Sequence, residues 1–131
     1  MTQQRRRDER GTSAIELVLY MPLLMIAILL TVQFALVYLG NQAVSAAARE
    51  AGRTARVTGD TVAAEARGAS YASTVGGGLI DDIDVQVVQV GDDEMRATVT
   101  AHAVRLLPFL GVTDLSEEVQ GPIEQFQEDA P

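Results

Sequence analysis

Glu16 is the side chain whose position most needs a chemical reason. It stands five residues after Gly11, at the mouth of an apolar run that opens at Leu17. A bilayer penalises a carboxylate, and the core helix of a soluble domain has no use for one there. In the first turn of a helix the macrodipole favours a negative charge, and headgroup water can still reach it. That explains why Glu16 is tolerated. It does not explain the pattern around it, in which Arg5, Arg6, Arg7 and Arg10 precede Gly11 and the step Thr12-Ser13-Ala14-Ile15 leads up to the carboxylate.

The rest of the chemical inventory is short. His102 is the only histidine and falls on the polar side of an alternating segment, so a solvated side chain is expected and no nucleophile–base pair can be named around it. Asp81, Asp82 and Asp84, then Asp92, Asp93 and Glu94, are acidic groups in predicted turns. They lack the twelve-residue loop closed by a bidentate glutamate that would mark a calcium site. Gly76-Gly77-Gly78 comes after a predicted helix and has no neighbouring lysine, so it is not a phosphate loop. The expectation is a chain that is not an enzyme, with no catalytic residues, cofactor, metal or small-molecule substrate.

Composition narrows the class further. The 131 residues suit one small domain with an appendage. Without cysteine there is neither a disulfide framework nor a thiolate metal site. The formal net charge is −8, every base is an arginine, and four arginines lie before residue 11. Residues 12–131 carry 6 basic and 16 acidic side chains, a balance that argues against a nucleic-acid partner.

Periodicity gives the framework around Glu16. From Leu17 to Leu39 run 23 residues without a charge, interrupted only by Pro22, Thr31 and Gln33. At ~1.5 Å per residue they span ~34 Å, enough for a hydrocarbon core of ~30 Å and too long for an ordinary signal peptide. Gly40 to Val57 is alanine-rich and free of proline, so the helix is expected to continue as an extracytoplasmic stalk. Ala43, Ala47, Ala51 and Ala55 repeat every four residues, with Ala48 and Gly52 beside them, a packing stripe of small side chains expected to let helices of other subunits approach closely, as small-xxx-small contacts do within membranes. Glu50 and Arg53 are spaced for an i, i+3 ion pair.

Beyond Thr58-Gly59-Asp60 the sequence predicts a second helix over 61–75, ended by the triple glycine. A β-hairpin over 84–90 and 95–104 comes next, with Met95, Ala97, Val99, Ala101 and Ala103 alternating against polar neighbours. Val87 and Val88 are both apolar, which calls for a bulge or a strand covered on both faces. "RLLPFLGVTDL" reads as a loop with apolar anchors, and "EEVQGPIEQF" as an edge strand limited by Pro122. The predicted organisation is an unstructured basic leader over 1–11 and a long helix over 12–58, with 17–39 in the membrane and 40–57 as stalk. A small α+β head over 59–127 and a disordered tail over 128–131 complete it. The sheet is expected on the second helix and on the stalk.

The string from Gly11 to Val57 resembles the amino-terminal hallmark of the TadE-like family, pseudopilins of the tight-adherence (Tad/Flp) pilus system. The Gly11/Glu16 pair, Pro22-Leu23-Leu24 and the Ala47–Arg53 segment "AAREAGR" carry the resemblance. It implies a pilin-like fold and cleavage by a prepilin peptidase between Gly11 and Thr12, which would leave Thr12 as a free amino terminus and Glu16 as the fifth residue. Glu16 would then lie one helical turn from that ammonium and could neutralise it, or neutralise the terminus of a staggered neighbour. Pro22 removes the N–H aimed at the Val18 carbonyl and would kink or loosen the helix there. A head of this size favours a minor pseudopilin over a major pilin. The implied partners are the peptidase, other pilins and pseudopilins, the pilus assembly platform and membrane lipid.

Charge alone orients the span weakly, four arginines before it against Arg49, Arg53 and Arg56 after it. The resemblance sets the amino terminus in the cytoplasm and the head outside, in a single-pass protein of the bacterial cytoplasmic membrane. Two alternatives share much of this pattern. One is an acidic domain secreted after a signal-peptidase cut near Ala46-Ala47-Ala48; the other is an uncleaved, membrane-anchored interaction module.

Overall fold

The computed structural model describes residues 9–111 and 113–125, with side chains from Ser13 onward. Two helices and three strands succeed one another in the order α1 (Glu9–Thr58), α2 (Thr61–Gly76), β1 (Ile80–Val90), β2 (Glu94–Ala103) and β3 (Asp114–Pro122). The architecture is α+β, as expected from the residues: a long apolar amino-terminal helix, a short helix and a three-stranded antiparallel sheet in the order β1-β2-β3.

Helix α1 is 50 residues long and runs unbroken through Pro22. It starts at Glu9, so the last residues of the basic leader, expected to be unstructured, are helical; residues 1–8 and the expected tail over 128–131 lie outside the described residues. Gly59, at φ +67°, ends α1 with its N–H donating to the Ala55 carbonyl. Asp60 then caps α2, its carboxylate accepting from the Ala63 N–H at 3.0 Å. Gly77, at φ +50°, closes the far end in the left-handed conformation that a helix C-terminus favours.

The strands differ in detail from the hairpin expected from alternation. β1 begins four residues earlier than expected, and the register irregularity falls between Asp81 and Asp84, where Asp82 has φ +48°. Val87 and Val88 therefore need no bulge and no second cover. Val87 is buried and Val88 is 50% exposed, the two faces of a regular strand. β3 starts at Asp114, ahead of the predicted edge strand, and ends at Pro122, which is tolerated because its ring nitrogen falls between ladder bonds, and the Ile123 N–H still donates to the Asp93 carbonyl.

The core is a two-layer sandwich. The inner face of the sheet presents Val87, Met95, Ala97, Val99, Ala101, Ala103 and Leu115. Against it lie Ala43, Val44, Ala47, Ala48, Ala51 and Ala55 of α1, with Ala64 and Ala72 of α2. The largest fully buried side chains are only Val44 and Val99, so the layers hold together by close backbone approach more than by bulk. Gly68 shows how close. A Cβ there would lie 2.8 Å from the Ala51 Cβ and 3.0 Å from Val85 Cγ1.

The predicted stalk is therefore no free-standing rod. Residues 43–55 of α1 form one layer of the head, and their small-residue stripe is covered by the chain's own sheet and second helix. Alanines on one face permit such an approach whatever covers them, which is why the stripe by itself does not name its partner. Glu50 likewise does not turn to Arg53. Its carboxylate takes the Arg67 Nε at 2.9 Å, tying α1 to α2.

Candidate functional site

The amino-terminal part of α1 is marked out by exposure. Every residue from Ser13 to Ile28 is exposed, although the run is almost wholly apolar; Ile15, Val18 and Leu19 are each more than 70% exposed. From Ser13 the helix is long and apolar enough to cross a membrane. A helix bearing this much uncovered apolar surface needs lipid or other apolar helices around it.

Glu16 sits on this helix with its side chain exposed. Thr12 lies four residues before it, so helix geometry sets the two on the same face with ~6 Å of rise between them. The Gly11–Thr12 peptide is inside the first turns of α1. Those turns contain N–H groups with no intrahelical partner and are the cheapest part of a helix to unwind. Pro22 lies in the exposed apolar stretch, where the helix loses one ladder bond.

The structure gives a role to a residue that in the sequence is only an interruption. Gln33, within the charge-free run, is 3% exposed. Its amide Nε2 donates to the Val104 carbonyl at 3.1 Å, and its Oε1 accepts from the Leu106 N–H at 2.7 Å. One side chain in the apolar run thus satisfies both ends of a short backbone stretch just past β2. The available signal was chemical: a glutamine inside a hydrophobic span needs a partner, and so marks a contact.

The same end of the sheet carries the charged groups singled out in the sequence. His102 lies on the outer face, with its Nε2 3.1 Å from Asp114 Oδ1 and its Nδ1 3.6 Å from Asp82 Oδ2. Asp81, Asp82 and His102 bring ligand-type atoms within 4.8 Å of one another, but all three are exposed, and Arg105 lines the same depression. A cation arriving there would meet water-screened carboxylates and a guanidinium. The arrangement is cross-strand polar pairing on a solvated surface. The acidic turn at 91–93 is remote from it, at the opposite end of the β1–β2 hairpin.

Comparison with known proteins fits this geometry. The family model described as TadE-like protein matches residues 11–53. No curated protein and no solved structure matches the chain. The matched stretch opens on Gly11, includes Glu16, Pro22 and Gln33, and ends at Arg53 among the residues that α1 contributes to the head. Residues 11–53 are thus similar to the TadE-like family, and they lie on a single helix long and apolar enough to cross a membrane.

Proposed function

We propose that the protein is a minor pseudopilin of a Tad/Flp-type pilus, inserted in the bacterial cytoplasmic membrane and taking part in pilus assembly. The observation that carries this reading is the match of the TadE-like family to residues 11–53, which begins at the glycine of the Gly11/Glu16 pair. The prepilin peptidase cuts between Gly11 and Thr12, after unwinding the first turns of α1 on the cytoplasmic side. The new ammonium of Thr12 then has the Glu16 carboxylate one turn along as its countercharge. In a medium of low dielectric that pairing matters far more than in water, and it can form within one chain or between staggered neighbours.

The exposed apolar surface from Ser13 to Ile28 supplies the contacts for packing against other pilin helices, since the alanine stripe is already covered by the head. Pro22 gives that segment a point of low stiffness for leaving lipid and joining an assembly. The head lies outside the membrane and meets the other pseudopilins and the assembly platform.

Mass spectrometry of the amino terminus of the membrane-extracted protein tests the reading. The expected terminus is Thr12 in cells with the peptidase, and the intact leader in the Gly11→Leu variant. Glu16→Ala is expected to be cut normally yet to impair pilus assembly. An intact leader in the wild type would instead support an uncleaved membrane-anchored module, and a terminus at Arg49 a secreted domain.

A further inference from the structure

The strand that leads to Gln33 descends along α1 toward the membrane. The order of contacts fixes its direction. A Cβ on Gly52 would lie 3.8 Å from Ala97, and one on Gly40 would lie 3.7 Å from Ala103. Val104 and Leu106 are then held at Gln33. As β2 advances from Ala97 to Ala103 and beyond, its neighbours on α1 move from Gly52 back to Gly40 and to Gln33.

The chain after β2 is built to hold a shape at that level. The Val104 N–H donates to the Leu79 carbonyl, the Ala103 N–H to the Thr113 carbonyl, and the Leu110 N–H to the Leu107 carbonyl. The ends of the loop are closed together, and its first residues are fastened to α1. Leu107 is buried, whereas Leu106 is 45% and Phe109 74% exposed. The sequence has no charge between Arg105 and Asp114. Below Gln33 on the helix, Leu29 and Leu30 are half-buried, the first departure from full exposure after Ser13–Ile28.

Depth follows from helix rise. Gln33 lies 16 residues beyond Leu17, or ~24 Å along the axis, inside a hydrocarbon core of ~30 Å that opens at Leu17. Moving the boundary back to Ser13 puts Gln33 ~30 Å along, at the far edge of the core. In either placement Leu106, held at Gln33, lies within the hydrocarbon core or at its edge. Its surroundings grade in the same sense. Residues 106–110 carry no charge, while Arg105, which precedes them, shares a surface depression with Asp81, Asp82 and His102, and His102 meets Asp114.

We propose that the loop over residues 106–111 is a second membrane contact, an apolar finger beside α1 that inserts among the acyl chains of the leaflet on the head's side. Its occupant is lipid, because the exposed Leu106 and Phe109 continue the lipid-facing surface of a membrane-anchored helix at the depth set by Gln33. The finger seats the head directly on the bilayer and restricts its rotation about α1. This rests on α1 spanning a membrane and not on leader cleavage or pilus assembly, so it can fail while the proposed function stands.

The chain has no tryptophan, so Phe109→Trp introduces a single tryptophan that can be excited apart from the three tyrosines. The full chain is reconstituted at high dilution in phosphatidylcholine vesicles whose acyl chains carry bromine near the headgroup. Leu24→Trp in the span and Val88→Trp on the outer sheet face serve as references. Phe109→Trp is expected to show blue-shifted emission, loss of most of its intensity in brominated lipid and protection from aqueous iodide, as Leu24→Trp does. Val88→Trp is expected to show the reverse. Iodide quenching of Phe109→Trp equal to that of Val88→Trp, without bromine quenching, overturns the proposal. So does a blue shift that vanishes on further dilution in lipid, since a second copy of the chain would then be covering the loop. Absence of bromine quenching in Leu24→Trp overturns it at its premise.

Discussion

Replacing Gln33 by leucine tests the joint between the membrane helix and the head. The two side chains are similar in size, so the substitution removes the amide without opening a large cavity. Two hydrogen bonds are lost, to the Val104 carbonyl and from the Leu106 N–H. At ~0.5–1.5 kcal/mol net for each, the local cost is ~1–3 kcal/mol. Val104 is half-buried and Leu106 exposed, so the figure holds where water replaces the lost partner, and it is a lower bound where lipid covers the loop. Hydrogen exchange of the full chain in lipid nanodiscs reads the loss directly. The Leu106 amide is expected to exchange ~5- to 150-fold faster, the equivalent of that free energy. Amides of β2 from Met95 to Ala101 should keep their rates, because the sheet ladders and the alanine-lined core hold them independently. Unchanged exchange at Leu106 would refute the claim that Gln33 fastens the loop. A uniform increase across all three strands would refute the claim that its role is local.

Three further substitutions probe the head. Gly68→Ala places a Cβ 2.8 Å from Ala51 and 3.0 Å from Val85, so α2 must move away from α1. A loss of ~1–3 kcal/mol is expected in a denaturant titration of the full chain in detergent, and no loss would contradict the close helix approach. Asp60→Ala removes the carboxylate that accepts from Ala63, with an expected cost of ~0.5–2 kcal/mol in the same assay; Asp60→Asn should retain most of the cap. Arg67→Ala is expected to cost less than ~1 kcal/mol, because the Arg67 side chain is 59% exposed in its pair with Glu50. A larger loss would show that this pair, and not the alanine layer, joins the two helices.

Much of the fold was legible in the residues because local patterns sufficed. The alternation of Met95, Ala97, Val99, Ala101 and Ala103 dictates a strand with one buried face, since successive side chains point to opposite sides. The charge-free run from Leu17 dictates a helix that needs an apolar environment, since only intrahelical bonds can satisfy its backbone there. Gly11, Glu16 and the residues after them were enough to point to the TadE-like segment. The stripe from Ala43 to Ala55 was visible as a surface for close approach. Small side chains specify only that something comes near, however, and the sequence carried no further information about what.

Tertiary structure decided the pairings across long separations. It covered the alanine stripe with the chain's own sheet and α2, turned Glu50 toward Arg67 in place of Arg53, and placed the strand irregularity at Asp81–Asp84 in place of Val87–Val88. Above all it brought Gln33 to Val104 and Leu106, more than 70 positions later in the chain. Hydrophobic periodicity records which face of an element is buried. A hydrogen bond between distant residues exists only once the sheet has docked on the helix and set their depth, so no local pattern could announce it.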